Sequence, residues 1–143
     1  MTVRKLAGYT LIAAMALGAG LTAAHSETVS LTAELSGANE VPPNDSAASG
    51  GAEATLDTET RMLTFSIRYE GLSGPAIGAH LHGPVGVDAN AGVMVPFATM
   101  ESPIEGTLEL TADQVRDVAA GLSYVNIHTQ NHPGGEIRGQ LVQ

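Results

Sequence analysis

The sequence predicts an all-β domain, a Greek-key-like β-sandwich or barrel of about eight strands with one short helix. Three observations carry this expectation. Apolar and polar residues alternate with a period of two through most of the chain, as in strands with one face buried. Clusters of Gly, Pro, Asn and Asp separate these runs at short intervals, as they do in sandwiches and barrels. Only one stretch combines helical periodicity with a helix-start signal.

The elements follow in order. Residues 1–26 read as a secretory signal peptide. Arg4 and Lys5 form its basic start, residues 6–21 an apolar core, and Ala23, Ala24 and Ser26 the small residues that signal peptidase reads. The core is shorter than the roughly 20 residues a membrane span needs. Cleavage after Ala24 and cleavage after Ser26 both fit. The first would make His25 the amino terminus, where amine and imidazole together chelate copper(II). The remaining chain, 27–143, is expected to form one domain, secreted or periplasmic, with no membrane segment after cleavage.

Within it, Val29, Leu31, Ala33 and Leu35 alternate with Ser30, Thr32 and Glu34, and Ala52, Ala54 and Leu56 repeat the pattern. Leu63, Phe65, Ile67 and Tyr69 make the clearest strand, and Ile77, Ala79 and Leu81 alternate with Gly78, His80 and His82. Residues 93–97, 106–110, 124–129 and 136–142 supply four more. Thr111 and Gln114 have capping-box spacing. Val115, Val118, Ala119 and Leu122 share a helical face, and Gly121 suits the left-handed position after a helix. This predicts a helix over 112–120, across an open end of the fold. Residues 42–51 read as a surface loop, whose Asn44-Asp45-Ser46 sequon matters only in a eukaryotic secretory route.

Composition removes several functions. The chain has no cysteine, which excludes disulfides, thiolate ligands and a lipid-acceptor cysteine. After cleavage, four arginines face 15 acidic residues, a net charge of −11 with no lysine. Nucleic acid and anionic lipid both demand a basic patch, so neither is an expected partner. No nucleophile-base spacing, phosphate loop or paired carboxylate points to a hydrolase or transferase.

What remains is histidine. His80 and His82, two apart on a strand, point to the same face and can present two imidazoles to one metal ion. His128 has the same outward parity, because Val125 and Ile127 point inward, and His132 follows in the next turn as a candidate fourth ligand. Imidazole suits copper, zinc, nickel or iron. Export and the lack of thiolates favour copper, with zinc or iron as alternatives. Met94 and Met100 are candidate thioethers or core filler. Arg138 has outward parity on the last strand, as an anion guide beside the metal or as one half of a cross-strand ion pair with Glu136 or another carboxylate.

Four motifs carry a family resemblance: Leu35-Ser36-Gly37-Ala38-Asn39-Glu40-Val41-Pro42-Pro43, Gly78-Ala79-His80-Leu81-His82-Gly83-Pro84, Tyr124-Val125-Asn126-Ile127-His128-Thr129, and the run from Pro133 to Leu141. Together they resemble the CHRD domain, a family named for chordin and widespread among bacterial exported proteins. The resemblance implies a β-sandwich outside the cytoplasm and little about activity. More distantly, the H-x-H strand, later histidine and C-terminal arginine are similar to copper-zinc superoxide dismutase. That similarity implies copper on His80, His82 and His128 with Arg138 guiding the anion. There is no cysteine pair, zinc loop or bridging histidine, so it implies a copper-only site at most. Three functions are therefore expected candidates: an exported copper-binding domain, a copper-only dismutase-like enzyme, and a structural or protein-interaction module without metal.

Overall fold

The computed structural model describes residues 27–143. The signal segment 1–26, both cleavage positions and His25 lie outside the described residues. The strands are β1 (Thr28–Ser36), β2 (Ser49–Asp57), β3 (Met62–Glu70), β4 (Ala76–His82), β5 (Val93–Pro96), β6 (Ile104–Glu109), β7 (Ser123–Thr129) and β8 (Ile137–Leu141), with helix α1 at Ala112–Ala119. All eight expected strands and the one helix are present.

The strands form one antiparallel sheet in the order β5-β4-β7-β8-β1-β2-β3-β6. The sheet curls into a half-barrel. Phe65 on β3 and Phe97 just after β5 come from opposite ends of the strand order, yet their rings lie 4.8 Å apart. Most of the alternating apolar residues turn into this curl. Leu31, Leu56, Ile67, Leu81, Ile127 and Ile137 are essentially inaccessible, each contributing roughly 1.5–3 kcal/mol by burial.

Local chemistry sets the breaks. Asp57 Oδ1 accepts the backbone N–H of Glu59 (3.0 Å) and Thr60 (2.8 Å), which turns β2 into β3. At α1 both capping-box bonds form: Gln114 N–H donates to Thr111 Oγ1 (3.2 Å), and Thr111 N–H donates to Gln114 Oε1 (2.9 Å). Gly121 takes φ +73°, the left-handed conformation expected of it. Leu122 follows that turn, so it leaves the helical face it was expected to share and is 37% exposed.

One strand departs from parity. Ile77 was expected to point inward with Ala79 and Leu81, but the β4–β7 register shifts between Ala76 and Gly78. This bulge turns Ile77 out to 50% exposure. From Gly78 onward the parity is regular.

Candidate metal centre

The β4–β7 register opposes Gly78 to His128, His80 to Asn126 and His82 to Tyr124. His80 and His82 thus share one face, and His128 reaches His80 diagonally. Gly78 makes the diagonal possible. A Cβ at that position would lie 3.0 Å from His80 Cε1, crowding that ring, and 3.6 Å from His128 Cδ2, in ordinary contact. Ring centroids stand 5.4 Å apart for His80–His82, 4.9 Å for His80–His128 and 5.8 Å for His82–His128. One ring nitrogen from each lies within 4.8 Å of the others. Gathering all three onto one ion, with bonds of roughly 2.0–2.1 Å, requires a closing motion of about an ångström.

Two of the rings are held by backbone carbonyls. His82 Nδ1 lies 3.0 Å from Ala91 O, and His128 Nδ1 lies 3.1 Å from Pro133 O. A carbonyl only accepts, so each Nδ1 carries the proton and each Nε2 presents a bare lone pair. His128 Nε2 meets Nδ1 of His80 at 3.1 Å. His82 Nε2 is buried without any partner. Burial lowers the pKa of His82, outweighing the Ala91 carbonyl that raises it, and His80 and Arg138 lower it further. Burial likewise lowers His128 against its Pro133 bond. Both rings are therefore neutral at pH 7, the protonation state that binds metal. The donor set is three imidazole nitrogens, one of them an orphaned buried lone pair, and it fits a first-row metal ion.

A family model for the CHRD domain matches residues 31–141. The chain belongs to the CHRD domain family. None of the solved structures matches it. The matched span of the CHRD domain includes His80, His82, His128, His132 and Arg138.

The fourth candidate histidine sits apart from the group of three. β7 ends at Thr129, so strand parity no longer aims the residues beyond it. His132 instead closes a tight turn, its N–H on Thr129 O (3.2 Å) and its carbonyl accepting from Thr129 and Gly135. Met94 packs against the core, and Met100 is exposed in the segment after β5.

Outward parity on β7 and β8 does not mean exposure. Residues 37–48 and 83–92 cover this face and turn it into a second, polar interior. Asn126 donates to Glu40 Oε1 (2.5 Å) and to Ile137 O (2.9 Å). Burial raises the Glu40 pKa, against the Asn126 bond and the nearby Arg138 charge. Asn44, the sequon residue, spends its amide nitrogen on Gly135 O (3.3 Å) and Glu136 O (3.1 Å), tying the Pro42-Pro43 loop to the sheet.

Glu136 does not pair with Arg138. It lies just before β8 at 0% exposure, where its carboxylate accepts from Ser46 Oγ (2.7 Å), Thr129 Oγ1 (2.6 Å), and both the N–H and Oγ of Ser73 (2.8 Å each). Burial would raise its pKa, but the donors of Thr129, Ser46 and Ser73 together hold it at about 2.

Arg138, 1% exposed, stacks its guanidinium 3.6 Å from the Tyr124 ring centroid. Its nitrogens donate to Asn90 Oδ1 (3.0 Å), Ala89 O (2.9 Å) and Gly86 O (3.3 Å). Tyr124, on the strand between, lies parallel to His82 with centroids 4.9 Å apart. Glu40, Tyr124, Asn126 and Glu136 were not anticipated as part of the site. The available signal was chemical: outward positions here hold Tyr, Asn, Arg and Gln, where an open strand carries Ser, Thr and Glu.

Proposed function

We propose that this CHRD domain is an exported copper-binding protein, secreted or periplasmic, that holds its ion through His80, His82 and His128. The observation that carries the reading is the buried, unpartnered Nε2 of His82, grouped with ligand nitrogens of two other histidines. A buried acceptor without a partner costs about 1–3 kcal/mol, a cost that a bound ion removes. Copper(II) stands highest in the affinity order for divalent ions at nitrogen sites, and neither thiolate nor carboxylate in the group redirects the choice. The signal-like segment 1–26 supports export.

A bound copper ion would supply a Lewis-acidic, redox-capable centre. The chain's part is to keep two rings neutral, orient them by Ala91 O and Pro133 O, and leave their Nε2 atoms without a proton. Binding is favoured over superoxide dismutation by electrostatics. Arg61, Arg68 and Arg116 each pair with carboxylates, and Arg138 is committed to residues 86–90. Among the described residues no arginine is left free to steer an anion.

Elemental analysis of protein recovered from its native compartment tests this. One copper per chain is expected, and His82→Ala should lose it while staying folded. Zinc in place of copper would overturn the metal assignment. Purified protein that takes up neither ion would overturn the site.

A further inference from the structure

We propose that Arg138 is a positioning residue for the metal centre: by gripping residues 86–90 it holds Ala91 O where that carbonyl fixes the ring of His82. The inference rests on His82 as a ligand and adds what keeps it one.

The carbonyl that fixes His82 belongs to the connection 83–92 between β4 and β5. Residues 86–90 are all exposed, and Val87, the one large apolar residue among them, points to solvent. Such a segment has little apolar burial of its own to order it. Its order comes from polar contacts with the sheet, and three of these radiate from the one guanidinium, to Gly86 O, Ala89 O and Asn90 Oδ1. A planar fork of five N–H donors suits this task, since its donors keep fixed mutual angles. Stacking on Tyr124 sets the plane of the fork.

Tyr124 closes the circuit. Its hydroxyl lies 3.2 Å from both the N and the O of Ala91, and its ring lies against His82. Two routes from Arg138 therefore meet at one imidazole, through the loop to Nδ1 and through Tyr124 to the ring face. A buried guanidinium is costly to keep, and Arg138 makes no ion pair among the described residues. Its partners are the loop, and that is what its burial serves.

The test reads tautomers in metal-free, 15N-labelled protein, by the two-bond 1H–15N couplings of each histidine ring. Wild type should show His82 with its proton on Nδ1. Arg138→Met keeps an apolar stem over Tyr124 and removes the donors. His82 should then become a mixture of tautomers, while His128, held by Pro133 O, stays unchanged as an internal control. Copper(II) affinity, measured by chelator competition, should fall about 10- to 100-fold. Arg138→Lys keeps the charge without the fork and should not restore the tautomer. Full rescue by lysine, or an unchanged His82 in folded Arg138→Met, would overturn the proposal. If Arg138→Met does not fold, Asn90→Ala at an exposed residue removes one of the three guanidinium contacts, together with the bond from Asn90 to Val41 O. It should shift His82 in the same direction by less, and an unchanged His82 there would also overturn it. The tautomer is read without metal. A wild-type protein that binds no ion would defeat the copper reading, and the tautomer result would still decide the role of Arg138.

Discussion

The two halves of this sheet share a sequence pattern and differ in what covers them. Across β1, β2, β3 and β6 the outward positions form rows such as Ser30–Thr55–Thr64–Thr107, and these side chains meet solvent. Across β4, β7 and β8 the same parity carries His82, Tyr124, Asn126 and Arg138, all buried beneath residues 37–48 and 83–92. Alternation therefore states which face a residue occupies and not whether that face is covered. The cover imposes a stricter condition, because buried polar groups must find partners. Asn126, Glu136 and Arg138 meet it. Among the described residues three buried side-chain atoms do not, His82 Nε2, Ser123 Oγ and Gln140 Oε1. Of these only His82 Nε2 stands among other metal-type ligands.

Glutamates on the two faces should give the widest contrast. Glu136→Ala strands the buried Thr129 hydroxyl and removes the part-buried bonds from Ser46 and Ser73, and should destabilise by about 2–3 kcal/mol in chemical denaturation. Glu105→Ala on the open face loses an exposed pairing with Arg68 and should stay within about 0.5 kcal/mol of wild type. An equal cost at both positions would erase the distinction between the halves.

Acid sharpens the same contrast. The Glu136 carboxyl is held at about 2, below the ordinary 4.5. Its contribution is therefore fully present above pH 4.5 and is lost as pH falls through 2. Stability measured between these values should decline in wild type, and this component of the decline should vanish in Glu136→Gln.

Asn44→Ala comes next, at about 1–2 kcal/mol, because its amide bridges the loop to two carbonyls. Thr64→Ala, which loses only an exposed hydroxyl contact with Thr107, should be within about 0.5 kcal/mol of wild type. Glycines give the smallest effect. Gly78→Ala should leave stability nearly unchanged and weaken copper binding by about tenfold, since its methyl crowds His80. Gly51→Ala on the open half, whose Cβ would find nothing closer than Ala33 O at 3.7 Å, should change neither.

These contrasts also mark what the sequence could tell. Eight strands, the Thr111–Gln114 capping box and the left-handed Gly121 were legible because each depends on residues close in the chain. The convergence of His80, His82 and His128 was legible from parity, given neighbouring strands. The bulge that exposes Ile77 was not, because it arises where β4 must pair with β7 some 50 residues away. Nor was the cover over β8. Asn44, Ser46 and Ser73 reach Glu136 from loops, and no periodicity connects them to it. His132 fell outside the group because a turn, unlike a strand, does not repeat its direction every second residue.

The central claim is that three specific rings take one ion, and pulsed electron paramagnetic resonance on protein loaded with one equivalent of copper(II) counts them directly. Three equatorial imidazoles are expected in wild type, with one lost in each of His80→Ala, His82→Ala and His128→Ala, and none lost in His132→Ala. A count that ignores the three strand histidines, or that falls when His132 is removed, would contradict the account.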